Sequence, residues 1–529
     1  MLDSTCTASP GRVRPRRTQP GQPDGGLRAR VGGLSGWAVI AAGLGLVALA
    51  VQLYALSRHG YLRGITEYDD AVYLGAASRM LHGALPYRNF AFVAPPGVPL
   101  LMVPVALVGR VIGLRDALIL ARLLTALVTA VNVVLLGTLL RHRSRLTVLV
   151  ACGLMAGYPA TILSGRTLLL EPYLVLFCLL GAVSVFRGDR LANPRALLFG
   201  GLFLGFAGAM KVWAVIPLLA VVLVCLPTYR RRILPLAGGA AAGFAIPCLP
   251  FFLLAPRAFI RDVILVQLER SASRTPLATR LSFLTGAAGT TYALTIVELL
   301  ALAALLVGVI TSVFLATRRG LSPLERFAAL TTVLVVLSFL WPDTFYYHYA
   351  AFLAPFVALL VGTAVSRVQS VVHAPHARGL VAACVGAVVM FNVNGVAFAA
   401  RKTALPAPDP ADAIDLVIPK GACVVTDAPA LLVNANRFDA RSTSCPDGVD
   451  PLGTTLSLNH GHHPSSELPD SSPAVRAVLS DLSRADYIIL SGMASSRWPW
   501  TPTVVGYIQT NFVQMVVPGA VVFERRPHE

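Results

Sequence analysis

Apolar residues along the chain fall into long unbroken runs rather than into the short alternations of a soluble fold. The runs 37–56, 117–140, 146–163, 168–186, 196–209, 214–227, 233–254, one ending near 316, 327–341, 349–365 and 379–400 approach or exceed the roughly 20 residues that cross a bilayer. About eleven membrane-spanning helices are therefore expected. The stretch 98–113 is also apolar, but at about 1.5 Å per residue it reaches only about 24 Å and it carries Arg110. After residue 402 the pattern changes. Strand-like segments at 422–426, 487–490 and 521–523 alternate with a helix-like stretch at 472–482, which predicts a small α/β domain.

Polar loops orient these helices. Short basic loops at 141–145, 187–195, 230–232, 318–326 and 367–378 belong on the cytoplasmic side by the positive-inside rule. An arginine-rich N-terminus with Arg12, Arg14, Arg16 and Arg17 joins them there only if 98–113 does not span, so that stretch reads as an interfacial or re-entrant helix on the outer side. Residues 1–33 read as a disordered basic cytoplasmic arm, 34–401 as the transmembrane domain with an outer loop at 57–116, and 402–529 as an extracytoplasmic domain. The first apolar run starts too late and is too long for a cleaved signal peptide.

Composition then sharpens the class. Only 13% of the 529 residues are charged and 55% are hydrophobic, about half the charged share of a soluble domain, which excludes an ordinary cytosolic enzyme. The net charge of +18 suggests nucleic acid only until it is located: from residue 402 onward nine Lys/Arg meet thirteen Asp/Glu, a net of −4, so the positive excess lies among the apolar runs. Nucleic acid is not needed as a partner. Of the eight cysteines, Cys152, Cys178, Cys225, Cys248 and Cys384 lie in apolar runs and read as core residues, while Cys423 and Cys445 share the outer tail and read as a disulfide.

Candidate chemistry lies in the outer loops. Glu67-Tyr68-Asp69-Asp70-Ala71-Val72-Tyr73 places three carboxylates in four residues, suited to general-base work on a hydroxyl, to holding a cation, or to capping the following helix. Glu171, followed by Pro172, either caps a membrane helix or shares an outer cavity with Arg166 and Asp69. Lys211 either snorkels to the interface or neutralises an anionic lipid headgroup. In the aromatic belt around Tyr346-Tyr347-His348-Tyr349, His348 is the member with acid/base capacity. The loop Asn459-His460-Gly461-His462-His463 lacks a carboxylate or cysteine at fixed spacing and reads as solvated rather than metal-binding.

In this order the motifs resemble the GT-C superfamily of integral-membrane glycosyltransferases, which includes protein O-mannosyltransferases, aminoarabinose transferases and actinobacterial mannosyl- and arabinosyltransferases. The matching features are Asp69-Asp70 with Tyr73, Pro95-Pro96-Gly97 leading into 98–113, Ala121-Arg122-Leu123-Leu124, Glu171, Lys211 and Tyr347-His348-Tyr349. Ala94 stands where many members have a His. The resemblance implies an inverting transfer of a sugar, mannose or arabinose, from a polyprenyl-phosphate donor to a hydroxyl of a cell-envelope glycan, glycolipid or protein on the outer face of the plasma (inner) membrane. By it Asp69 is the base, Asp70 and Glu171 orient sugar hydroxyls or hold a cation, Lys211 and Arg166 meet the phosphate, and Tyr73 and His348 contact substrate. No cofactor is firmly implied, and the acids leave room for a divalent cation. A transporter or lipid flippase, and a non-catalytic glycan-binding envelope protein, are the alternatives.

Overall fold

In a computed structural model of the chain, residues 35–58, 60–226, 232–270, 275–288, 294–341, 344–372, 374–402, 410–465, 467–492 and 497–527 are described. The N-terminal arm lies outside the described residues. Each of the eleven apolar runs forms a helix or, for the third, a bent pair of helices. Seven helices are long and apolar enough to cross a membrane, and the pair Arg145–Gly157 and Pro159–Gly165, bent by 59°, makes an eighth if it counts as one span. Leu170–Val185, Pro194–Met210 and Val212–Cys225 are shorter. The bend has a local cause: Tyr158, which precedes Pro159, is extended, and Pro159 opens the second helix where its missing N–H costs nothing. The Tyr158 hydroxyl donates to the carbonyl of Leu284 at 2.6 Å, and the chain then turns back to deliver Arg166 and Thr167.

Helices Pro194–Met210 and Ile233–Leu254 pack through small residues. A Cβ on Gly201 or Gly205 would lie 2.0 and 2.2 Å from the carbonyl oxygens of Leu236 and Ala240, and one on Gly239 or Gly243 would lie 2.1 Å from those of Leu198 and Leu202. Both helices thus carry a glycine every fourth residue at the contact, the arrangement that lets backbones meet inside a membrane. Their close approach holds the extended break at Lys211, where the first helix ends.

The stretch expected to lie along the interface forms the helix Gly97–Ile112, 16 residues long. Val98, Met102, Val105 and Ala106 are buried, whereas Leu107, Val108 and Val111 are exposed, so one apolar face is left for lipid. Gly97 sits against the Ala209 carbonyl, where a Cβ would come within 2.5 Å, which ties this helix to the Lys211 break.

The C-terminal segment carries a four-stranded sheet. With the short hairpin Phe186–Arg187 (β1) and Arg190–Leu191 (β2) counted first, its strands are Val424–Thr426 (β3), Tyr487–Leu490 (β4), Phe512–Val517 (β5) and Ala520–Arg525 (β6). They are ordered β3-β4-β6-β5, with β3 parallel to β4 and the other pairs antiparallel. β5 was not expected: Gln514 interrupts its apolar run, and it continues directly from the helix Pro502–Asn511. Cys423 and Cys445 form a disulfide at the edge of this sheet. The tail is docked on the segment 57–116. Arg79 donates to the carbonyl of Phe438 at 3.2 Å and packs its guanidinium 4.7 Å from that ring, and Arg115 pairs with Asp412 at 2.7 Å.

Candidate active site

The helix Asp69–Leu81 presents its first two residues in different directions, because successive positions on a helix differ by about 100°. Asp70 turns into the protein. It is fully buried, its Oδ2 lies 2.6 Å from Nη2 of the equally buried Arg122, and Thr167 donates to the same oxygen at 2.9 Å. Arg122 also donates to the carbonyls of Tyr61, Leu62 and Gly64 and to the Thr66 hydroxyl, so the pair fixes the chain that leads to Asp69. Asp69 turns the other way and lines a cavity of about 460 Å³. Its carboxylate forms no hydrogen bond or ion pair with any described residue.

Three other groups of side chains face or support this cavity. Glu171, fully buried, pairs with Lys211 at 2.7 Å and lies 3.0 Å from Nδ1 of His348. Lys211 sits between the rings of Trp213 and Tyr349, 3.7 and 4.1 Å from their centroids, so its ammonium has a fixed place at the end of the Pro194–Met210 helix. Arg270 follows a short turn of wider helix at Arg261–Leu265 and donates to the Tyr346 hydroxyl at 2.9 Å. From the C-terminal domain come Asp450 and Arg497. The Tyr68 hydroxyl donates to Oδ1 of Asp450 at 2.7 Å and accepts from the Leu452 N–H at 2.9 Å. Buried Asp262 receives the Ser457 hydroxyl at 2.6 Å, a second bond between the tail and the rest of the chain.

The cavity shapes the acidity of its carboxylates. Burial pushes Asp69 above the ordinary carboxylate range, while the positive charges of His348, Arg270 and Lys211 pull it part of the way back. Asp450 is pushed up to about 6 by burial, against the bonds from Tyr68 and Gly453 that favour its ionised form. Burial also raises Glu67, whose carboxylate accepts a hydrogen bond from the Tyr347 hydroxyl. The result is a pocket in which Asp69, unpaired among the described residues, shares the wall with Lys211, Arg270 and Arg497.

Comparison with known proteins identifies the scaffold. Residues 115–236 match the model of the family described as dolichyl-phosphate-mannose-protein mannosyltransferase. The crystal structure of ArnT from Cupriavidus metallidurans bound to undecaprenyl phosphate superposes with a TM-score of 0.58 at 16% identity, covering 94% of this chain and 100% of that one. The chain has the GT-C fold. The apo form of the same ArnT gives a TM-score of 0.56 at 14% identity, covering 93% of this chain and 99% of that one. The oligosaccharyltransferase of Archaeoglobus fulgidus, tethered with an acceptor peptide, gives 0.51 at 11% identity, covering 93% and 74%. No curated protein matches the sequence.

Within the GT-C fold of this chain, Asp69, Tyr73, Lys211 and His348 line one cavity, with Glu171 directly behind Lys211 and His348. Two expected residues are placed elsewhere. Asp70 is used up by Arg122 and Thr167, and Arg166, although buried, is not on the cavity wall: its guanidinium lies 4.4 Å from the Tyr61 ring centroid. The cation on the cavity wall that sequence reasoning missed is Arg270, which belongs to a segment with no motif of its own. Asp450 and Arg497 were missed too. Asp450-Pro451 opening the helix Pro451–Leu458, with Oδ1 accepting from the Gly453 N–H at 2.8 Å, carries a legible capping signature, but nothing local says that it faces Asp69. Of the histidine loop, His463 reaches the cavity, and among the described residues no three metal-ligating side chains converge.

Proposed function

We propose that the protein is a membrane glycosyltransferase that moves a sugar, mannose or arabinose, from a polyprenyl-phosphate donor to a hydroxyl of a cell-envelope glycan, glycolipid or protein with inversion at the anomeric carbon. The observation that carries this reading is the Asp69 carboxylate, unpaired among the described residues, on the wall of a cavity that Lys211 and Arg270 also line. The donor's isoprenoid tail lies among the apolar helices and its phosphate meets the two cations. Asp69 takes the proton of the acceptor hydroxyl as that oxygen attacks the anomeric carbon. The bond between that carbon and the phosphate oxygen breaks, its electron pair leaves with the polyprenyl phosphate, and the proton passes from Asp69 to solvent. Lys211 and Arg270 stabilise the charge that builds on the departing phosphate, so it needs no proton. Glu171 keeps Lys211 and His348 in position, and Tyr73 and His348 contact the sugar. Residues 57–116 form the catalytic outer loop. The protein lies in the plasma membrane with its N-terminus cytoplasmic and residues 402–529 outside.

The test is transfer from radiolabelled polyprenyl-phosphate mannose or arabinose by the purified protein to membrane acceptors, with Asp69→Asn as control. The reading expects wild-type transfer and its loss in the variant. Transport of the lipid without transfer would favour a flippase instead.

A further inference from the structure

The cavity has walls of different origin. One is built by the membrane helices and their outer loops and carries Lys211 and Arg270. The other is built by the C-terminal domain and carries Asp450, Leu452, Leu456 and Arg497. Asp450 is only 5% exposed, yet its bonds are one-sided: Oδ1 receives both the Tyr68 hydroxyl and the Gly453 N–H, whereas Oδ2 accepts from no described group. Asp450 lines the cavity, so this unpaired oxygen is available to a donor that a ligand brings. A phosphate is the wrong ligand, because two anions repel. A hydroxyl is the right one.

We infer that Asp450 and Arg497 form an acceptor subsite for a saccharide, in which the free Oδ2 of Asp450 accepts a hydrogen bond from a hydroxyl neighbouring the one that Asp69 deprotonates. This rests on the transferase reading above. The argument for a saccharide over a peptide is a count of hydroxyls. A serine or threonine side chain has one, which Asp69 consumes, so a peptide could reach Asp450 only through a backbone N–H or another side chain. A sugar offers adjacent hydroxyls, one for each carboxylate. Arg497, whose guanidinium lies 4.6 Å from the Tyr68 ring centroid, supplies the donors that a sugar oxygen needs, and Leu452, Leu456 and the Tyr68 ring offer an apolar surface for its C–H face. The tail's wall is also the side from which a water-soluble acceptor arrives, while the lipid donor must come from the membrane.

The experiment uses the full chain with polyprenyl-phosphate [14C]mannose and [14C]arabinose. Acceptors are methyl oligomannosides, methyl oligoarabinofuranosides, their monodeoxy analogues, and a Ser/Thr-containing peptide. Asp450→Asn keeps the helix cap and the Tyr68 bond, and Arg497→Gln is the second variant should the first fail to fold. In Asp450→Asn the acceptor KM is expected to rise about ten- to a hundred-fold, with donor KM moving less than two-fold. Wild type is expected to discriminate about ten-fold or more against one monodeoxy acceptor, and the variant to lose that preference. For Arg497→Gln the same split, a raised acceptor KM with donor KM unmoved, is expected. A raised donor KM, equal effects on both substrates, unchanged kinetics, or transfer to the peptide alone would overturn the subsite. Wild type that releases sugar to water but glycosylates no saccharide overturns only this inference. Wild type that cleaves no donor overturns the transferase reading itself.

Discussion

Neighbouring carboxylates Asp69 and Asp70 are expected to respond oppositely to the same substitution. In Asp70→Asn the buried Arg122 loses the only carboxylate it pairs with among the described residues, although the carbonyls of Tyr61, Leu62 and Gly64 remain around it. Removing one partner of a fully buried, hydrogen-bonded ion pair costs about 3–5 kcal/mol, because the other charge stays behind unpaired. For a chain of this size that corresponds to a fall of roughly 3–5 °C in melting temperature. Residual activity should track the fraction folded. Asp69→Asn removes a charge that burial already disfavours and that no described side chain pairs, so its melting temperature should stay level or rise slightly. Transfer, however, should fall about 10²–10⁴-fold, the usual scale for loss of a general base. Thermal unfolding in detergent, measured beside transfer on the same preparations, separates the two. Asp70→Asn with an unchanged melting temperature and abolished transfer would refute the reasoning and move Asp70 into the chemistry.

Three further outcomes follow from the geometry. Because burial raises Asp69, its proton persists to higher pH than on a free carboxylate, so the acid limb of a kcat/KM profile should lie above about pH 4 and activity should return as pH rises; a limb at the ordinary carboxylate value would contradict the burial. Gly205→Leu or Gly243→Leu drives a side chain into a backbone carbonyl little more than 2 Å away, and fluorescence size-exclusion should show loss of monodisperse protein, whereas Gly238→Ala, with nothing within 4 Å, should behave as wild type. Replacing Cys423 and Cys445 by Ser opens a loop with a sequence separation of 22, worth about 3 kcal/mol of chain entropy, and limited proteolysis should cut the tail sooner than in wild type.

The parts of the fold visible in the sequence are those coded locally. Eleven apolar runs become helices because backbone groups in a bilayer have no partners but their own. The 98–113 stretch could be set apart by its length and by the charge of the loops around it, and three of the four tail strands by their β-branched runs. Site residues were legible where the chain itself brings them together, as Asp69 and Tyr73 on one helix. The choice between Asp69 and Asp70 was not legible, since a turn of about 100° decides which meets Arg122 and which the cavity. Arg270 and Asp450 stand roughly 200 and 380 positions from Asp69, and only the docking of the outer loops and the tail puts all three in one pocket. The opening positive charge also resolves into place: arginines of short loops such as Arg143 and Arg367 pair with Glu325, far along the chain from the site acids.

The most direct measurement is a structure of the protein with a non-cleavable polyprenyl-phosphonate sugar bound. The account predicts the phosphonate between Lys211 and Arg270, the anomeric carbon facing Asp69, and Asp70 still paired with Arg122. A phosphonate held at Arg166 and away from Asp69, or outside the cavity altogether, would contradict it.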